Sequence, residues 1–207
     1  MIEKLPNYPV YLVDDDEAVR TALQLLLKTA DISAQLFGDP RQFLASLNTL
    51  SPGCIILDIR MPMISGFKLQ ERLSEHQITW PVIVISGHGD IEACRKAFKN
   101  GAIDYLSKPI DEQDLIDSVQ KGFESLEKSQ LLLAERKELN ELISKLTKRE
   151  SQVFDLVARG FSTKECADAL SLSPRTVETH RAHIASKLGT NSVAELARIA
   201  SECGKTQ

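Results

Sequence analysis

Asp14, Asp15, Asp58, Ser86 and Lys108 each stand at or just past the end of a short apolar run: VYLV before Asp14, CIIL before Asp58, VIVI before Ser86 and DYLS before Lys108. Runs of this length and composition are predicted to be buried strands. In an open parallel sheet the carboxyl ends of the strands share one edge, and ligands bind there. Folding would therefore gather three carboxylates, a hydroxyl and an ammonium into one pocket, suited to a divalent cation and a phosphoryl group. Mg²⁺ takes oxygen ligands and is often held by one or two carboxylates plus a phosphate. Asp15 and Asp58 are expected as direct ligands, with Asp14 holding a bound water or ligating weakly. Asp58 ends the predicted central strand and is the candidate nucleophile toward phosphorus. Lys108 would meet one phosphoryl oxygen as a point charge, and the Ser86 hydroxyl another. Pro109 pushes Lys108 toward extended geometry or permits a cis bond, and either would aim the lysine.

The elements that must position these groups alternate up to about residue 125. SAQLF supplies a fifth strand, and apolar residues at Val19, Ala22, Leu23, Leu26 and Leu27 make one face of a helix. Asp39 followed by Pro40 marks a helix start, and Asp16 and Glu17 suit the N-terminus of the first helix. Alternating strands and helices imply an α/β fold: a five-stranded, parallel, doubly wound sheet. From Asp111 the pattern becomes one long helix, a connector carrying Leu132, Leu139 and Leu146 at a strict spacing of seven. That spacing is compatible with a short coiled coil against a partner helix, or with a solvated strut that could hinge near Gly122 or Ser144. Thr147 with Glu150, Ser162 with Glu165, Ser173 with Pro174, and Ser192 with Glu195 then mark four short helices, an all-α unit. The expected domains are residues 1–125, a linker over 126–143, and 144–207.

The chain has 207 residues, 43% of them hydrophobic, which allows packed cores. Aromatics are 5%, too few for a base-stacking platform that binds single strands. Four cysteines without a close pair fit neither a disulfide framework nor a zinc site, and point to a reducing, cytoplasmic setting. Neither a signal peptide nor a membrane span is expected. From Leu146 onward nine basic residues face seven acidic ones, a charge of +2 against −6 for the remainder of a chain whose net charge is −4. An acidic first part and a mildly basic tail suggest two jobs.

VDDDE, LDIRMPMISGF, ISGHGD and AIDYLSKP resemble the receiver domain of two-component response regulators, over about residues 8–125. The resemblance implies that Asp58 is phosphorylated by a sensor histidine kinase. It places Asp14, Asp15 and Asp58 around Mg²⁺ with the backbone carbonyl of Arg60, sets Ser86 and Lys108 on the phosphoryl group, and makes Tyr105 the switch aromatic. Phosphorylation adds about −1.5 to −2 charge and new acceptor oxygens. Ser86 and Lys108 would be drawn to them, and Tyr105 could turn into the space left by Ser86.

The tail, LTKRESQVFDLVARGFSTKECADALSLSPRTVETHRAHIASKLG, resembles the LuxR-type helix-turn-helix of the NarL/FixJ family, closest to the FixJ group, over 144–200. Cys166 stands where isoleucine is usual, a modest core change. Between Pro174 and Leu188 the residues Val177, Ile184 and Leu188 form an inner stripe. A recognition helix of this kind enters the major groove of double-stranded promoter DNA with its N-terminal half. Glu178 and Thr179 are placed to read base edges, and Arg175, Thr176, Arg181 and Lys187 to touch phosphates. His180 is ambiguous between structure and contact. Val193, Leu196 and Ala197 of the last helix either form a dimer contact or complete the bundle.

The expectation is therefore a cytoplasmic, non-enzymatic transcription regulator, homodimeric on phosphorylation, with a histidine kinase, promoter DNA and RNA polymerase as partners. Two alternatives remain. One is a phosphatase with an aspartyl-phosphate intermediate, for which Asp14 and Asp16 have the right spacing. The other is a DNA-binding dimer indifferent to phosphorylation.

Overall fold

The computed structural model describes residues 8–87 and 91–203. Residues 1–7 and 204–207, and His88, Gly89 and Asp90 of the ISGHGD stretch, lie outside the described residues. The chain divides into two compact units, Met1–Ser129 and Gln130–Gln207.

In the first unit β1 (Val10–Val13), α1 (Glu17–Thr29), β2 (Ala34–Phe37), α2 (Pro40–Ser46), β3 (Cys54–Asp58), α3 (Gly66–Glu75), β4 (Val82–Ser86), α4 (Ile91–Lys99) and β5 (Ala102–Ser107) follow in order. The helix α5 (Glu112–Ser144) runs on without a break for 33 residues. The strands are parallel in the order β2-β1-β3-β4-β5, so β3 is central, as expected. Side chains alternate across a strand, and the sheet is buried on both faces. Tyr11, Val13, Ile55, Leu57, Val82 and Val84 face one core with Phe43 of α2, Leu69 and Leu73 of α3 and Ala97 of α4. Val10, Leu12, Cys54, Ile56, Ile83 and Ile85 face the other with Leu23 and Leu27 of α1 and Leu115, Val119 and Phe123 of α5. Parallel sheets covered on both faces need such continuous apolar runs.

Local chemistry sets the helix starts. Asp16 accepts from the N–H groups of Ala18 and Val19, Asp39 from that of Arg41, and Ser65 from that of Lys68. Gly122, named above as a place where the connector could hinge, has a packing role. A Cβ there would lie 2.7 Å from Cys54 Sγ, so glycine lets α5 lie close against β3.

The second unit contains the end of α5 and α6 (Lys148–Ala158), α7 (Thr163–Leu170), α8 (Pro174–Leu188) and α9 (Val193–Glu202). Both capping boxes expected at Thr147 and Ser162 are present. Ser192 makes no side-chain cap bond. Its expected partner Glu195 is taken by Arg198, at 2.7 Å, and the Ser192 N–H turns to Thr190 Oγ1. The heptad leucines do not form one seam. Leu139 and Leu146 pack with Leu142 and Ile143 against the core of Val153, Phe154, Val177, Ile184 and Leu196, while Leu132 is 65% exposed. The second half of α5 is thus part of the small unit's own core.

Gly66 supports the pocket that follows. A Cβ there would collide with the backbone of Asp58 and Ile59, while the Gly66 N–H bonds the Ile59 carbonyl at 3.0 Å. Gly66→Ala is expected to destabilise the first unit by about 1–3 kcal/mol, the usual cost of overpacking a tight contact. Urea unfolding measures it.

Candidate phosphoryl-acceptor site and nucleic-acid interface

The strand order brings the ends of β1, β3, β4 and β5 to one edge. Lys108, immediately after β5, sends its ammonium between two carboxylates, 2.7 Å from Asp14 Oδ2 and 2.8 Å from Asp58 Oδ1. Its backbone N–H bonds the Ser86 carbonyl at 2.7 Å, which fastens it to the end of β4, and its bond to Pro109 is cis. Backbone donors fix the carboxylates in turn. The Arg60 N–H reaches Asp58 Oδ2 at 2.6 Å, and the Asp16 N–H reaches Asp14 Oδ1 at 2.9 Å. Asp14, Asp58 and Ser86 are buried, whereas Asp15 is exposed at the rim. Ligand atoms of Asp14, Asp15 and Asp58 lie within 4.8 Å of one another.

Burial raises the Asp14 pKa, despite the hydrogen bonds from Lys108 and from the Asp16 N–H, and the charge of Asp58 adds to the rise. Burial acts against the Lys108 charge, but its hydrogen bonds to Asp14 and Asp58 and their charges outweigh that and raise its pKa. Among the described residues, Asp14 and Asp58 thus share the Lys108 ammonium in a partly desolvated cleft, with Asp15 beside them at the rim. An all-oxygen donor set of this charge fits a hard divalent cation, and receiver domains generally bind Mg²⁺ at such an acidic pocket. Tyr105 is half-buried on β5, against the core beneath α4. Asp16, the second carboxylate of the phosphatase alternative, is committed to capping α1.

In the second unit Ser173 caps α8 and Pro174 occupies its first turn. Val177, Ile184 and Leu188 are buried as expected. Arg175, Glu178 and Thr179 are exposed, and Thr176, His180 and Arg181 half-buried. Thr179 Oγ1 donates to the Arg175 carbonyl, and Thr176 shares the cap with Ser173. His180 Nδ1 is buried without a hydrogen-bond partner. Lys187 differs from its expected place on the phosphate-facing side. Its ammonium turns inward to Glu150 Oε2 at 2.7 Å, because that buried carboxylate needs a counter-charge. In α9 Leu196 completes the bundle core, and Val193 is exposed.

The first unit's fold and pocket define a receiver, and the second a helix-turn-helix module. Two family models match: the response regulator receiver domain over residues 10–120, and the bacterial regulatory proteins of the luxR family over 144–200. The transcriptional regulatory protein FixJ of Bradyrhizobium diazoefficiens is 35% identical over 195 residues, 94% of this chain and 95% of that one. Among solved structures, the response regulator StyR superposes with a TM-score of 0.76 at 36% identity, covering 94% of this chain and 99% of that one. Full-length FixJ from B. japonicum gives 0.59 at 34% identity, covering 97% and 98%. The chain belongs to the response regulators that join a receiver domain to a LuxR-type DNA-binding domain. It is a transcriptional regulator of the FixJ-like type, with the receiver as its phosphorylation-controlled half. Among the described residues no helix is long and apolar enough to cross a membrane.

Sequence reasoning missed two supports. Arg20 Nη1 donates to the Asp14 carbonyl at 2.6 Å, bracing the loop after β1. Its signal was faint: an arginine one turn into a helix that starts beside the acidic cluster. The Thr147–Glu150 spacing signals only a cap, whereas Glu150 also holds Lys187 and lies 3.7 Å from His183 Nδ1.

Two outcomes follow from these charges. With its pKa raised by folding, ionised Asp14 costs stability at neutral pH, and that cost fades as pH falls through its folded pKa. Asp14→Asn is therefore expected to stabilise the metal-free protein at neutral pH, with the gain shrinking on acidification; chemical unfolding across pH checks this. Glu150 behaves oppositely. The hydrogen bond from Lys187 and the Thr147 N–H pull its pKa from 4.5 down to about 2. Its contribution is complete above pH 4.5 and lost as pH falls toward about 2, so acid titration of helicity should show a loss in that window which Glu150→Gln removes.

Proposed function

We propose that Asp58 accepts a phosphoryl group from the phosphohistidine of a sensor kinase, and that this raises the affinity of the C-terminal unit for promoter DNA. The observation that carries the reading is the ammonium of Lys108 bridging Asp14 and Asp58, with Asp15 within 4.8 Å, at the end of the central strand. Attack by an Asp58 oxygen forms a new O–P bond as the N–P bond to the donor imidazole breaks and its electron pair returns to the ring. Asp14, Asp15, Asp58 and the Arg60 carbonyl would hold Mg²⁺, whose charge would offset repulsion between the phosphoryl oxygens and the carboxylates. Lys108, already between Asp14 and Asp58, needs only a small movement to pair with a phosphoryl oxygen, and Ser86 lies at the adjacent strand end to bond another.

The new bonds from Ser86 and Lys108 would bias the segment carrying Tyr105. Complete inversion of a two-state population requires about 5.5 kcal/mol of differential interaction, within reach of several charge-assisted hydrogen bonds in a metal site. The favoured state is a homodimer. It sets two α8 helices on DNA half-sites about one helical turn apart, with Glu178 and Thr179 toward base edges, Arg175, Thr176 and Arg181 toward phosphates, and His180 beside them. Action on promoters implies a cytoplasmic setting and RNA polymerase as a further partner. The protein is not an enzyme in this reading: the acyl phosphate is its signal.

The full chain, incubated with acetyl phosphate and Mg²⁺, is expected to incorporate one phosphoryl group and to bind duplex DNA at least about tenfold more tightly, a 1.4 kcal/mol gain. Asp58→Asn should abolish both effects, as should chelation of the metal. Undiminished incorporation by Asp58→Asn would refute the assignment. Equal DNA binding with and without phosphodonor would favour a receiver that dimerises independently of phosphorylation.

A further inference from the structure

A single ammonium joins three elements of the C-terminal unit. Lys187, in the last turn of α8, donates to Glu150 Oε2 at 2.7 Å and to the Lys145 carbonyl at 3.1 Å. Glu150 lies in the first turn of α6 and is 4% exposed; its Oε2 also accepts the Thr147 N–H at 2.7 Å. Lys145 belongs to the turn that closes α5, where its N–H bonds the Leu142 carbonyl at 3.1 Å. The end of the connector, the start of α6 and the end of α8 therefore meet at one cation. Helical geometry separates that cation from the base-reading Glu178, although Thr176 and His180 share its side of α8. Lys187 follows Glu178 by nine positions, and at about 100° per residue the two project on opposite sides of α8. Releasing Lys187 toward a phosphate would leave the buried Glu150 carboxylate without its partner, the costly half of a broken buried pair.

We propose that Lys187 is a positioning residue and not a DNA contact. Through Glu150 and the Lys145 carbonyl it fixes the recognition helix against the end of the connector, so DNA affinity depends on Lys187 although no phosphate touches it. The inference rests on the DNA-binding reading above. It also makes the α5–α6 turn the place where the connector and the recognition helix share a support.

The test uses the full chain and a mixed-sequence DNA duplex over a range of salt concentrations. Each phosphate contact contributes about −0.9 to the slope of log K against log salt. Lys187→Met is expected to weaken binding by about 5- to 30-fold at every salt concentration, with an unchanged slope. Glu150→Gln, on a helix outside the groove, should give the same parallel loss, and the double variant little more. A slope shallower by about 0.9 in Lys187→Met would make it a phosphate contact and overturn the proposal. Unchanged affinity, once any unfolded fraction is corrected for, would reduce the pair to fold stability and also overturn it. Urea unfolding of the same variants tests the pairing without DNA: non-additive losses support it and additive losses overturn it. An unsubstituted chain that bound no duplex would instead overturn the DNA-binding reading, a failure distinct from that of the unfolding cycle.

Discussion

The receiver's edge is organised by an imbalance of charge. Burying two carboxylates beside each other is costly unless a cation lies between them, and here the cation is Lys108, at 2.7 and 2.8 Å. Among the described residues Lys108 is the cation paired with these carboxylates, and one ammonium does not balance Asp14, Asp15 and Asp58 together. The pocket is therefore folded but electrostatically incomplete, which is the state a metal-dependent phosphoryl acceptor requires. Additional positive charge lowers the cost of ionised Asp14, and a phosphoryl group on Asp58 gives Lys108 a stronger partner than the carboxylate it now holds. The same imbalance supplies both affinity and switching.

That imbalance is tolerable because the sheet beneath it is rigid. Both cores draw on alternate residues of the same strands, so a strand cannot slip by one position without exchanging the two faces. Backbone donors then set the carboxylates individually: Arg60 N–H for Asp58, Asp16 N–H for Asp14. Gly66 keeps the first turn of α3 against the end of β3, with no side chain to push Asp58 outward. Precision at the edge is inherited from packing below it.

Much of this was legible in the sequence, because the signals were local or periodic. Apolar runs ending in Asp, Ser or Lys marked four strand ends, and the parallel sheet followed from the alternation of strands and helices. The capping boxes at Thr147 and Ser162 were readable for the same reason. The failures involved contacts between residues distant in sequence. A spacing of seven made Leu132, Leu139 and Leu146 look like one seam, but periodicity does not say which neighbour covers a face, and the small unit's own core covers two of the three. The packing role of Gly122 was not legible, because a glycine's need for space is invisible until Cys54 lies beside it. Glu195 looked like a cap because Arg198 competes for it from the next turn. Lys187 was legible as a basic residue of α8, and its pairing with the distant Glu150 was not.

Lys108 and Lys187 show how stoichiometry separates a reactive site from a structural one. Both are lysines at the end of an element, both bridge two oxygen acceptors, and neither is fully exposed, with side chains 24% and 33% accessible. Around Lys108 the acceptors are carboxylates, and a third lies at the rim. Around Lys187 there is one carboxylate, further satisfied by the N–H at the start of a helix, where the macrodipole already favours negative charge, and the second acceptor is a neutral carbonyl. The first cluster gains from another cation. The second is already balanced, so a new charge beside it brings little and removal of the existing one leaves Glu150 stranded. Local charge balance, more than residue type, is what separates the two lysines in the roles proposed for them.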